Sequence, residues 1–432
     1  MPVQAAPTAL HPGLHTELYQ IMQIAAYHAD GLWGEATFDL TLRAGPDGAD
    51  RAMVVGIEAA IEQTLAMGFG EEEVDWLAAQ PALAPFPRSF FAGLRRLRFS
   101  GEVAAVRDGT VLSAGAPVLR VTAPLTEVGL LETRLVSAVS FATGVATRAA
   151  GLVAAAAGRP LIDFAARRCP DVESAAASSR AARIAGFAGT TNALAAFRYG
   201  LPPWAVGSDA MLAAWGDPEA ATLACKQHFG DRLHLDLPAG DLHAAVRRLA
   251  PLGRALACVR VDRDDLAEAL PLVRRAFDRH GLPFVRLLAT GGLDGPAIDA
   301  LVTANAPADL FGVGGALLDG APARMGFKMV ELVRGTEPTP VPGSGWPGRK
   351  QLIRHADHDL LCLDVEALGG RSTGTPLLEV LVRRGERVQA AEPIELSRAR
   401  AVQNAPLLAP QAKRALRASP ALQSLAERAK HP

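Results

Sequence analysis

Apolar positions in the first 125 residues change period several times. Leu18, Ile21, Met22 and Ala25 recur at helical spacing within residues 15–28, which predicts a helix, while residues 36–44 alternate as a strand does. Residues 52–67 and 71–79 again read as helices. Between Gly101 and Val121, two short apolar runs flank Asp108-Gly109, and an Asp-Gly turn between such runs predicts a hairpin. This first region therefore reads as mixed α+β.

From residue 126 the texture becomes regular. Helices over 126–158, 173–199, 210–229, 241–250, 264–280 and 294–305 precede apolar strands at 160–165, 201–206, 233–237, 255–262, 284–290 and 310–315. Short apolar strands separated by helices predict parallel pairing and right-handed crossovers. Six in succession predict a β/α barrel, with an open doubly wound sheet as the alternative. After residue 335 comes a Pro/Gly-rich linker, GTEPTPVPGSGWPGRK, then strands (PLLEVLVRRG) and a helical end. The expected division is 1–125, 126–335 and 336–432.

Length and composition agree with that division. A chain of 432 residues exceeds what one core usually serves, and 49% hydrophobic residues exclude a wholly disordered chain. The formal net charge of −1 gives no support to a general nucleic-acid or membrane surface. Only five lysines occur, Lys226, Lys328, Lys350, Lys413 and Lys430, so arginine abundance alone says little and only local clusters count. Cys169, Cys225, Cys258 and Cys362 form neither a C-x-x-C pair nor a zinc pattern, which suits a reduced, cytoplasmic protein. No signal-peptide pattern is evident near the start. Residues 135–158 are apolar but carry Arg148 amid Ala, Gly, Ser and Thr, so a buried helix is expected there rather than a membrane span.

The chemistry concentrates after the predicted strands. Arg167 and Arg168 follow the strand at 160–165, and adjacent arginines can hold a carboxylate or phosphate, although surface arginines would look the same. Arg260, Asp262, Arg263, Asp264 and Asp265 cluster at the end of 255–262. That set suits a polyhydroxyl or metal–phosphate group, or simply a charged helix start. Gly291-Gly292 and Gly314-Gly315 follow the last two strands. Glycine turns there leave backbone N–H groups open to phosphate, though each alone is common after a strand.

In order along the chain, T-E-L-Y-Q (16–20), F-S-G-E-V (99–103), E-T-R-L (132–135), D-F-A-A-R-R (163–168), G-F-A-G-T-T-N (186–192), V-R-V-D-R-D-D-L (259–266), T-G-G-L-D (290–294), F-G-V-G-G (311–315), F-K-M-V-E (327–331) and P-G-R-K-Q (347–351) resemble the motifs of nicotinate phosphoribosyltransferases. The resemblance implies an irregular β/α barrel with an α+β domain built from both chain termini, the C-terminal segment returning to the N-terminal domain. It also implies a homodimer acting on nicotinate and phosphoribosyl pyrophosphate with Mg²⁺, in NAD biosynthesis or salvage, with no nucleic acid or membrane as partner. By position, Tyr19 stacks on the pyridine ring. Arg167, Arg168 and Arg260 hold the acid or the phosphates. Asp262 and Asp265 take ribose hydroxyls or the metal, and Gly291, Gly292, Gly314 and Gly315 cradle the 5′-phosphate.

The resemblance breaks at the chemistry. Counted from Gly200-Leu201-Pro202, Asp209 stands where the family carries its phosphorylated histidine, and Val206 where it has threonine. Gly292 replaces an aspartate and Gly315 a threonine. The expected catalytic set is therefore Asp209, Arg260 and Asp262, with ATP uncoupled from any phosphoenzyme. The alternatives are a homologue using another acceptor and a non-catalytic ligand-binding paralogue.

Overall fold

The computed structural model describes residues 12–341, 343, 345–369 and 374–430, without the side chains of Asp209 and Lys430. The chain forms two compact units, one from residues up to Gly144 and from Ala321 onward, the other from Val145–Gly320.

The terminal unit is built on a seven-stranded sheet. Its centre pairs Glu35–Ala44 antiparallel with Pro117–Pro124 on one side and with Arg324–Arg334 on the other. Strands from both ends of the chain thus share one sheet, and the stacked rings of Phe38 and Phe327 mark the join, 5.0 Å apart. This pairing is why the unit resumes at Ala321, where the sequence reading placed the boundary at 335. The first boundary falls inside helix Glu132–Ala155, beyond the change at 126, because Leu130, Leu131, Leu135 and Val139 pack in the terminal core. That helix is long and apolar enough to cross a membrane by length and composition, but half of its apolar window is buried inside the fold.

Several local expectations change here. Residues 52–54 belong to a strand, Arg51–Val54, with the helix confined to Ile57–Leu65. The runs flanking Asp108-Gly109 do not form a hairpin. Thr110–Ser113 pairs with Arg51–Val54, while Glu102–Ala105 pairs with Pro117–Pro124. The Asp108 carboxylate explains the exchange, since it accepts the N–H groups of Gly56 and Ile57 at 3.0 Å and ties the turn to that helix. In helix Leu18–Ala29 the buried stripe is Ile21, Ile24 and Ala25, and Leu18 and Met22 face out.

The second unit is a parallel sheet in the spatial order Gly189–Thr190, Leu161–Asp163, Leu310–Val313, Arg286–Thr290, Leu256–Asp262, Leu233–Asp236. The expected strand at 201–206 is not one. Pro202 and Pro203 lack the N–H groups a ladder needs. The segment instead touches each edge of the sheet once, Pro203 beside Thr190 and Gly207 beside Leu235, and so joins the two edges. The strand at Gly189–Thr190 lies inside what the sequence reads as one helix, 173–199. That helix stops at Ala185 because Gly186 turns with φ +127°. Residues 210–229 likewise divide into Asp209–Ala213 and Pro218–Phe229. Ile162, Cys258, Leu288 and Leu310, from four adjacent strands, pack together with Phe164, Trp204 and Val206. Residues two further along those strands reach the C-terminal rim.

Candidate active site

At that rim, one cavity of about 370 Å³ is lined by Arg167, Arg168, Arg260, Asp262, Gly291, Gly292, Gly314 and Gly315. Four separate strand ends supply these residues. A larger cavity of about 680 Å³ lies in the terminal unit beside Asp39, Lys328, Trp346 and Lys350.

Arg260 is the most constrained group at the rim. Its Nε stands 2.8 Å from Asp236 Oδ1, and one terminal nitrogen donates to Asp262 Oδ2 at 3.0 Å. Its guanidinium also lies over the Phe164 ring, 5.8 Å from the centroid. Burial pushes the Asp236 carboxyl above the ordinary aspartate value, against the opposing pull of Arg260. Asp236 was not singled out in the sequence, although it ends its strand in the same way as Asp262.

Asp163, buried at the end of its strand, holds the neighbouring loops. Its carboxylate accepts Ala165 N–H at 2.8 Å and Thr190 Oγ1–H at 2.7 Å. This fixes the turn carrying Arg167 and Arg168, whose side chains are exposed. On the opposite side, Gly312 has to be glycine. A Cβ there would stand 2.6 Å from Thr290 Cγ2 and 2.8 Å from Phe164 Cε2. Gly291, at φ +124°, has similar constraints, since a Cβ would meet the Arg263 carbonyl oxygen at 2.3 Å.

The cavity shows unused hydrogen-bonding capacity. Thr290 is 6% exposed, and its buried Oγ1 has no partner among the described residues. No protein acceptor takes the N–H of Gly292, Gly314 or Gly315 among the described residues. A buried hydroxyl is normally paired, so Thr290 Oγ1 is open to a ligand, and the N–H groups of these exposed or half-buried glycines are open to solvent or ligand. Arginines, open carboxylates and free glycine N–H groups suit a ligand combining phosphate with hydroxyls.

Two expected residues stand elsewhere, and the side chain of a third is not described. Asp265 is exposed and held by its neighbour Arg263, at 2.6 and 2.8 Å, so it does not line the cavity. Tyr19 belongs to the terminal unit, where its hydroxyl donates to Glu132 Oε2 at 3.1 Å. Asp209 begins helix Asp209–Ala213, and its side chain lies outside the described residues.

The rim gathers arginines, carboxylates and glycine turns on a parallel β/α ring, and comparison with known proteins gives the family. The family model for the nicotinate phosphoribosyltransferase (NAPRTase) N-terminal domain matches residues 14–140. A Mycobacterium tuberculosis protein, nicotinate phosphoribosyltransferase pncB2, is 33% identical over 393 residues, covering 88% of this chain and 84% of its own. Among solved structures, human nicotinic acid phosphoribosyltransferase superposes with a TM-score of 0.78 at 21% identity, over 96% of this chain and 99% of its own. A nicotinate-nucleotide pyrophosphorylase from Pyrococcus furiosus superposes with 0.75 at 20% identity, over 94% and 99%. The chain belongs to the nicotinate phosphoribosyltransferase family.

Proposed function

We propose that this protein transfers a phosphoribosyl group from phosphoribosyl pyrophosphate to nicotinate, a step of NAD biosynthesis or salvage. The supporting observation is the single cavity that gathers Arg167, Arg168, Arg260, Asp262 and both glycine turns. In the reaction the pyridine nitrogen bonds to the sugar's C1 while the C1–oxygen bond to pyrophosphate breaks. Pyrophosphate leaves with the electron pair, and the products are nicotinate mononucleotide and pyrophosphate. The sugar carbon is cation-like in between, so the site has to place three charged groups before anything reacts.

The residues divide this work. Gly292, Gly314 and Gly315 offer N–H groups to the 5′-phosphate. Arg167, Arg168 and Arg260 take the pyrophosphate or the nicotinate carboxylate, and Phe164 offers a flat apolar face to the pyridine ring. A magnesium ion fits this donor set. Asp262 Oδ1 has no protein partner among the described residues, and Mg²⁺ commonly takes one or two carboxylates with substrate phosphates completing its shell. Bound there, it would neutralise the departing pyrophosphate. Among the described residues no group of three or more His, Cys, Asp or Glu could hold a metal, so substrate oxygens would have to supply the remaining ligands.

In this reading the protein is a cytoplasmic homodimer with Tyr19 serving the partner's site, and it has no nucleic-acid or membrane role. Asp209 in the histidine's place favours transfer without a phosphoenzyme. The same departures, with Gly292 and Gly315, favour a second reading in which a related pyridine or other acid is the acceptor. Incubating the protein with Mg²⁺, phosphoribosyl pyrophosphate and a panel of pyridine carboxylates tests both. Product with nicotinate supports the first, product only with another acid supports the second, and no product with any acceptor contradicts both.

A further inference from the structure

The sequence assigns the second hydroxyl-binding carboxylate to Asp265, yet that side chain is engaged by Arg263. The cavity has another candidate. Asp319 lines it and is exposed, with no hydrogen bond or ion pair to its carboxylate among the described residues. Its neighbours in the cavity each have one carboxylate oxygen engaged: Asp294 Oδ1 accepts Ala297 N–H at 2.8 Å to cap a helix, and Asp262 Oδ2 holds Arg260.

The path of the chain explains how Asp319 arrives there. After strand Leu310–Val313, the short turn Gly315–Leu317 folds back, and Asp319 N–H donates to Gly315 O at 3.0 Å. A Cβ built on Gly315 would stand 3.4 Å from Asp319 Oδ2 and 3.8 Å from Oδ1. These are ordinary contact distances, so the Asp319 carboxylate lies directly beside position 315. Gly292, at φ +61°, leaves open space where a Cβ would be. Positions 292 and 315 are the two where the resembling motifs carry aspartate and threonine. The chain therefore lacks a carboxylate at position 292, while Asp319 places one elsewhere on the same cavity.

A carboxylate beside a phosphate cradle repels phosphate, but it attracts hydrogen-bond donors and cations. We propose that Asp319 accepts hydrogen bonds from the ribose hydroxyls of the phosphoribosyl substrate, replacing the carboxylate absent at Gly292. This rests on the phosphoribosyl-transfer reading of the site.

Calorimetry with ribose 5-phosphate, 2-deoxyribose 5-phosphate and inorganic phosphate tests it on the full chain. The wild type should bind ribose 5-phosphate about ten- to a hundredfold more tightly than the deoxy sugar, the range expected for a hydrogen bond to a charged group. Asp319→Ala should bring the two sugars to equal affinity without weakening inorganic phosphate. Gly292→Asp added to that variant should restore the preference, since aspartate tolerates positive φ better than most residues. Three results overturn the proposal: a wild type that binds both sugars equally, an Asp319→Ala variant that keeps the preference, or one that weakens all three ligands alike. Product formation by the wild type with nicotinate and phosphoribosyl pyrophosphate separates the two readings. If product forms while the preference ignores Asp319, only this inference falls. If no product forms and neither sugar phosphate binds, both fall.

Discussion

Arg260 and Asp236 face each other across neighbouring strands, paired in register, with Nε and Oδ1 2.8 Å apart. The carboxylate fixes the guanidinium from one side while Asp262 holds it from the other. An arginine held in this way loses little freedom when an anion arrives, which is what positioning a charged substrate requires.

Replacing either member of that pair should therefore affect catalysis more than folding. Arg260→Lys removes the fork geometry and should lower kcat/KM by about a hundredfold, with Asp236→Asn nearer tenfold, on the scale of charge-assisted hydrogen bonds. Steady-state kinetics with far-UV circular dichroism checks this, and unchanged kinetics in Arg260→Lys would remove Arg260 from the site.

The pH profile should carry the mark of Asp236. Its folded-state value is raised, chiefly by burial, so as pH falls it takes up a proton before an ordinary aspartate would. Arg260 then loses its tether, and kcat/KM should decline on the acid side, beginning above the ordinary aspartate range. Between the ordinary and the raised value the folded chain holds a proton that the unfolded chain has lost, so ionised Asp236 costs stability at neutral pH. Asp236→Asn should consequently flatten the acid limb and leave the melting temperature at pH 7 no lower. A sharply lower melting temperature would contradict the direction of the shift.

The two glycines at the end of strand Arg286–Thr290 should behave differently. Gly291→Ala forces a Cβ against the Arg263 carbonyl at φ +124°, whereas Gly292→Ala meets nothing within 4 Å at φ +61°. Denaturant unfolding should show Gly291→Ala losing about 3 kcal/mol or more, and Gly292→Ala about 1 kcal/mol, the usual cost of a left-handed non-glycine residue. Equal losses would mean that backbone angle alone, without the contact, sets the cost.

Any transfer should proceed without ATP stimulation and without a phosphoenzyme. A histidine imidazole can take up a γ-phosphoryl group, but position 209 is aspartate, and Val206 and Gly315 stand where the resembling motifs carry hydroxyls. Turnover with and without ATP at subsaturating substrate, together with γ-labelled ATP and acid and alkaline quenches, measures this. Stoichiometric ATP hydrolysis, or an alkali-labile label lost in Asp209→Asn, would contradict it.

Much of the site could be read from the sequence because parallel strands end where their chemistry starts. Arg167, Arg260 and the glycine pairs each follow an apolar run, and the fold needs only the strands to align to bring them together. Segment 201–206 misled because its apolar run contains two prolines that cannot ladder. The strand Gly189–Thr190 escaped notice because two residues show no period. Asp265 sits in the expected motif, but a salt bridge with Arg263 turns it away, and no sequence pattern reveals such a pairing. Asp236 and Asp319 were legible only as acids near strand ends; the structure sets Asp236 beside Arg260 and Asp319 in the cavity lining.

Product analysis is the decisive test of phosphoribosyl transfer to nicotinate. The protein is incubated with Mg²⁺, nicotinate and phosphoribosyl pyrophosphate, and nicotinate mononucleotide and pyrophosphate are quantified together. Both should form in equimolar amounts in the wild type and be abolished or strongly reduced in Arg260→Ala. Hydrolysis of phosphoribosyl pyrophosphate without nucleotide, or no turnover in a folded wild-type protein, would contradict it.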